Sequence, residues 1–113
     1  MNQETIDMVL KFRDDRNWRQ FHTPKDLALS LTLEAAELLE VFQWSGKDLQ
    51  CEGKRDKIEE ELADVISYCI LMADVCHMNM DDIVQKKMVR NAEKYPVELA
   101  YGSSAKYTEL KEK

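Results

Sequence analysis

The chain has 113 residues, 44% hydrophobic and 34% charged, with a formal net charge of −6 and only 3 Gly and 2 Pro. This balance predicts one all-α domain over 1–113, with a core over about 2–96 and a tail over 97–113, and it excludes a nucleic-acid polymer as partner, which needs a basic surface. No signal peptide is readable and no apolar run is long enough to span a bilayer, so a cytoplasmic protein with no membrane partner is expected.

Asn2 to about Asn17 reads as an amphipathic first helix, with Ile6, Val9, Leu10 and Phe12 available for packing. A short aromatic linker, Trp18 to His22, follows. Thr23-Pro24-Lys25-Asp26 is a helix start: Thr as N-cap, Pro at the first position, an acid three residues after the cap. The second helix is expected to run from there to about Trp44, stopped by Ser45-Gly46. Leu27, Leu31, Leu38 and Val41 line one face, while Leu29, Leu33, Ala35, Ala36, Leu39 and Phe42 fill much of the rest. A helix apolar nearly all round reads as buried. Glu34 and Glu37 nevertheless sit one turn apart inside it.

A polar connection over 47–53 leads to a third helix, Ile58 to Cys76, again apolar on most sides through Leu62, Val65, Ile66, Cys69, Ile70 and Met72. Here Glu61 and Asp64 are one turn apart, with Tyr68 continuing their face. Cys51, Cys69 and Cys76 are odd in number, and the last two lie roughly 10 Å apart by helix rise. Reduced thiols packed as small apolar groups are expected. Asp81 or Asp82 starts a fourth helix, closed by Tyr95-Pro96, on which Ile83, Lys87, Asn91 and Lys94 share an edge. The tail is of mixed polarity with a Gly-Ser-Ser break.

Two apolar helices, each with an i, i+3 acid pair, predict a shared cation site. Burying ionised carboxylates side by side costs several kcal/mol unless a cation accompanies them. One pair alone would read as solvated, or as pairing with Lys and Arg across an interface. An all-carboxylate donor set suits Mg²⁺, with Mn²⁺ as a substitute, and the lack of a His or Cys partner argues against zinc. Such a cluster suits attack of ion-activated water on a phosphoryl group. One small phosphorylated ligand is compatible with the negative net charge, because bound cations reverse the local sign. Trp18, Phe21, His22, Trp44 and Tyr68 fall at the ends of or beside the acid helices, where planar groups could stack on a nucleobase. Phe21 reads better as a core or interface residue, and His77 as structural. So small a chain cannot easily cover two apolar helices, so a homo-oligomer is expected to complete the core.

Trp18-Arg-Gln-Phe-His-Thr-Pro24, Glu34-Ala-Ala-Glu37, Phe42-Gln-Trp44, Glu61-Leu-Ala-Asp64 and Lys87-Met-Val-Arg-Asn91 with Tyr95-Pro96 resemble the MazG-like all-α nucleoside triphosphate pyrophosphohydrolases. Within that family the resemblance is to the single-domain branch of dCTP pyrophosphatases and integron-cassette proteins. It covers residues 18–96 most firmly. It implies a four-helix unit assembled as a helical-bundle homotetramer, a dimer of dimers with active sites near subunit interfaces. It also implies Mg²⁺-dependent hydrolysis of a (d)NTP, dNTPs preferred, to monophosphate and pyrophosphate for nucleotide-pool cleaning. By position, Glu34, Glu37, Glu61 and Asp64 would be catalytic metal ligands. Trp18, His22, Trp44 and Tyr68 would form the base and sugar pocket, and Lys87 and Asn91, with Lys94 or Tyr95 assisting, would meet the phosphates. The general base is left open, with Glu40 and Glu60 nearby.

Two other readings compete. A di-iron or di-manganese bundle normally uses Glu-x-x-His on two helices, and this chain has none. A non-catalytic helical oligomer serving as a protein-interaction module would use the acids as interface salt bridges and show no metal dependence.

Overall fold

The computed structural model describes residues 1–104, and all regular structure among them is helical. The chain divides into two compact units, Met1–Met78 and the residues from Asn79 onward. The first holds α1 (Gln3–Asp15), α2 (Pro24–Glu40) and α3 (Arg55–Val75), with short 3₁₀ turns at Arg19–Phe21 and Glu52–Lys54. The second holds α4 (Met80–Lys94) and a four-residue α5 (Val97–Ala100), the latter inside the segment read as tail. The rest of that tail, 105–113, lies outside the described residues. Among the described residues no helix is long and apolar enough to cross a membrane.

Local chemistry sets the helix ends. Asn2 caps α1 by accepting from the Glu4 N–H at 2.7 Å. Thr23 accepts from the Asp26 N–H at 3.1 Å, and Pro24 takes the first position of α2 as its sequence predicts. Asn79 caps α4, so that helix begins at Met80, slightly before the expected aspartates. The C-termini of α1 and α3 close in the same way. Asn17 (φ 54°) and His77 (φ 56°) are left-handed, each just past its helix. Trp18 N–H reaches the Arg13 carbonyl and Asn17 N–H the Asp14 carbonyl; Met78 and His77 repeat the pattern on Ala73 and Asp74. Both are Schellman closures, which satisfy carbonyls the helix leaves unpaired.

Within the first unit α2 packs on α3 and α1 packs on α3. The core is small: Leu27, Val41, Cys51, Ile70, Leu71 and Ala73 are buried. Leu27 is 1% exposed, and truncating it to Ala should cost about 2–5 kcal/mol.

One expectation needs correction. Helix α2 ends at Glu40, not Trp44: Val41, Phe42 and Gln43 N–H groups bond three residues back, tightening the last turn into non-α geometry before Gly46 at φ 59°. Leu29, Leu33 and Leu39 of that helix are 55–69% exposed in the single chain, the apolar surface that a homo-oligomer is expected to cover. Phe21, expected in a core or interface, is 64% exposed in the single chain, so it lies outside this chain's core and its interface role stays an expectation. All three cysteines are free thiols, as expected.

Candidate functional site

Helical spacing places Glu34 and Glu37 on one face of α2, and Glu61 and Asp64 on one face of α3. Packing of the two helices turns these faces together. One carboxylate oxygen from each of the four residues lies within 4.8 Å of the others. Glu61 is buried and Glu34 half-buried, while Glu37 and Asp64 keep contact with water.

The charges are unevenly compensated. The Lys57 ammonium, one turn before Glu61, lies 2.9 Å from Glu61 Oε1 and 3.6 Å from a Glu60 oxygen. Its hydrogen bond holds Glu61 below the usual carboxylate range, against the opposing effect of burial. Glu37 is pushed the other way, first by the hydrogen bond its protonated form makes to Glu34 and then by repulsion from that carboxylate. Among the described residues the buried oxygens Glu34 Oε2 and Glu61 Oε2 have no hydrogen-bond partner. Native proteins rarely leave such atoms unsatisfied. An all-oxygen donor set with orphaned carboxylate oxygens fits a hard divalent cation.

Two cavities border the cluster. One, of about 410 Å³, is lined by Met8, Val9, Phe12 and Arg13 of α1, Trp18 and His22 of the linker, Glu34, and Asp64, Ser67, Tyr68 and Leu71 of α3. The Trp18 ring meets Phe12 edge-on at 5.7 Å, and the Arg16 guanidinium lies 3.6 Å over the Phe12 ring. His22 Nδ1 is buried without a partner among the described residues. Burial, and then the nearby Arg13 charge, lower the His22 pKa and favour the neutral ring. Burial raises the Tyr68 pKa, helped by Glu34, Asp64 and Glu37, so its hydroxyl stays a donor. The second cavity, of about 710 Å³, is polar and lined by Glu37, Glu40, Val41, Gly53, Lys54, Asp56, Lys57 and Glu61.

The structure thus brings Trp18, His22 and Tyr68 to one cavity beside the acids. Trp44 lines neither cavity and is 87% exposed. Lys87, Asn91 and Lys94 lie on α4 and Tyr95 is its C-cap, all in the second unit; Asn91 accepts the Tyr95 N–H through its carbonyl at 2.8 Å. Glu40 lines the polar cavity, and Glu60 reaches Lys57.

Two residues at the site escaped the sequence reading. Lys57 was findable, since a Lys four residues from an acid on one helix is a pairing signal. Arg13 was not. It is 3% exposed and donates to Asp74 at 2.6 Å, tying α1 to a residue 61 positions away, and to Asp14 at 2.9 Å.

Fold and site together define an all-α protein with a four-carboxylate cluster between two packed helices. The chain belongs to the MazG-like family, whose model matches residues 29–110. It is 40% identical to mouse (Mus musculus) dCTP pyrophosphatase 1 over 105 residues, and equally so to the human (Homo sapiens) protein of that name. Those alignments cover 88% of this chain and 62% of each relative, so the chain spans less than two thirds of their length. A crystal structure of a pyrophosphatase from Archaeoglobus fulgidus superposes with a TM-score of 0.77 at 43% identity, covering 83% of this chain and 91% of that one.

Proposed function

We propose that this protein is a metal-dependent nucleoside triphosphate pyrophosphohydrolase that splits a (d)NTP into monophosphate and pyrophosphate. The observation that carries this is the convergence of Glu34, Glu37, Glu61 and Asp64 within 4.8 Å, with buried carboxylate oxygens left unsatisfied. The names of the relatives, dCTP pyrophosphatase and pyrophosphatase, point to the same reaction class.

In this reading the four acids hold Mg²⁺, with Mn²⁺ as a substitute. Bound there, the ion would neutralise phosphate charge and activate the attacking water. The protein's own residues bind and orient. Trp18 and Tyr68 offer ring faces and edges to a base and sugar, and neutral His22 offers a hydrogen bond to a base edge. Catalysis then rests on placement and charge rather than on a protein nucleophile. Trp44, exposed in the single chain, would serve as a base platform only within an assembly, in keeping with a homotetramer whose subunits share sites. Lys87 and Asn91, assisted by Lys94 or Tyr95, are assigned to the phosphates on family resemblance. Preference for dNTPs, a cytoplasmic location and a role in nucleotide-pool cleaning complete the proposal.

The test is a panel of canonical NTPs and dNTPs incubated with and without Mg²⁺, with products separated by anion exchange. Monophosphate plus pyrophosphate, formed only with metal, is expected. Diphosphate plus orthophosphate would keep the acid site but overturn the assigned reaction. No turnover of any nucleotide would favour the non-catalytic oligomer.

A further inference from the structure

Among the four acids Glu61 is the one with a lysine at 2.9 Å, and its two oxygens keep different company. Oε1 is held by the Lys57 ammonium at 2.9 Å, while Oε2 is buried with no hydrogen-bond partner among the described residues. The carboxylate itself is 8% exposed, but the lysine reaches it from the polar cavity with 56% of its side chain in water. Lys54, in the same cavity, donates instead to the Val41 carbonyl at 3.4 Å. Glu61 therefore carries a lysine on one oxygen while belonging to the cluster whose carboxylate oxygens lie within 4.8 Å of one another.

We infer that Lys57 is a built-in counter-cation of the carboxylate cluster, competing with divalent ions for Glu61 and setting how tightly the nucleotide-free protein holds them. This rests on the metal-site reading proposed above. Two effects of the lysine act in one direction. It stabilises the metal-free state, where four acids would otherwise repel one another around a buried carboxylate. It also places a positive charge on the very group a divalent ion must share, and like charges that close repel even through water. Lys57 thus keeps the metal-free cluster folded while weakening its grip on free ions. Its role is positioning and electrostatic; nothing requires it to touch the substrate.

Removing the charge should then tighten metal binding, the opposite of what loss of a merely supporting residue would do. The test measures Mn²⁺ uptake by the full chain without nucleotide, reading free Mn²⁺ by electron paramagnetic resonance at low salt. Lys57→Met should bind Mn²⁺ more tightly, on the order of tenfold, with the advantage shrinking as salt screens the lysine. Lys57→Arg, which keeps the charge, should behave like the unaltered chain. The thermal midpoint of Lys57→Met should fall without metal and recover toward that of the unaltered chain at saturating Mn²⁺. Equal or weaker Mn²⁺ binding by Lys57→Met, or binding by Lys57→Arg as tight as by Lys57→Met, would overturn the inference. If nucleotide hydrolysis stays strictly metal-dependent in that case, only the role of Lys57 falls. If the unaltered chain takes up no Mn²⁺ and turns over nucleotide without it, this inference and the proposed metal site fall together.

Discussion

Two groups of charged side chains are folded into the same unit, and they are built on opposite plans. Where α1 meets α3, Arg13 is buried between Asp74 at 2.6 Å and Asp14 at 2.9 Å, and these two acids raise its pKa despite the opposing effect of burial. Where α2 meets α3, four carboxylates converge with Lys57 as the cation in contact with Glu61. The first group is satisfied by the chain itself and holds two helices together. The second concentrates like charge and leaves buried oxygens without partners. Charge that a protein neutralises internally is architecture; charge that it gathers and leaves exposed to itself is prepared for something else. On the function proposed above, the first cluster serves stability and the second chemistry, and each role can be broken separately.

The largest expected effect is on turnover. Glu37→Gln or Asp64→Asn should abolish hydrolysis, a loss on the order of a thousandfold or more, while circular dichroism and oligomer mass stay unchanged. Unaltered turnover in either variant would place the acids in the architectural class. Next comes Arg13→Ala, which leaves Asp74 without its buried partner. It should lower unfolding free energy by about 3 kcal/mol, the low end for breaking a buried pair because Asp74 retains some contact with water. Denaturant melts would show it, and a loss under 1 kcal/mol would mean the pair is decorative.

Trp44→Ala tests whether the aromatic residue outside both cavities still belongs to the site. If it stacks on a base within an assembly, KM should rise about tenfold with kcat little changed. A fall in kcat alone would remove it from the base pocket.

The smallest effect distinguishes the clusters by sign. Glu37 has a raised pKa in the folded state, so its ionised form opposes folding. The stability it contributes is fully present below its unfolded pKa and is lost as pH rises through the folded value. At neutral pH without metal, Glu37→Gln should therefore melt slightly higher than the unaltered chain, with the gap closing as pH falls toward 4. Asp14 runs the other way: the hydrogen bond from Arg13 lowers its pKa, so its contribution is present at neutral pH and disappears as acid protonates it. A thermal-shift series over pH reads both. A Glu37→Gln chain less stable than the original at pH 7 would contradict the idea of stored repulsion.

The acid helices were legible in sequence because their signal is local. Glu34 with Glu37 and Glu61 with Asp64 are each one turn apart on helices of apolar composition, and Thr23-Pro24 marks where α2 begins. The end of α2 was harder to read. Phe42 and Trp44 continue an apolar pattern, but that pattern does not register that Val41 to Gln43 hydrogen-bond three residues back rather than four. What covers α2 is likewise not local: periodicity reports which faces are apolar, and Leu29, Leu33 and Leu39 are apolar yet uncovered in one chain. Arg13 was illegible in principle. An arginine in the last turn of a charged helix reads as solvated, and only the fold brings Asp74 to it.

The Schellman closure of α1 has a further consequence. Trp18 ends that helix through its backbone N–H, donated to the Arg13 carbonyl, while its side chain is free to wall the cavity beside Glu34 and Asp64. Structural duty falls on the main chain and contact duty on the indole. Position 18 can therefore be exchanged for another flat or bulky residue without unfastening the helix, the edge contact with Phe12 being the main packing to be remade. A lineage that needed a different ligand could begin there, reshaping the cavity wall in a single step while the carboxylates opposite it stay where they are.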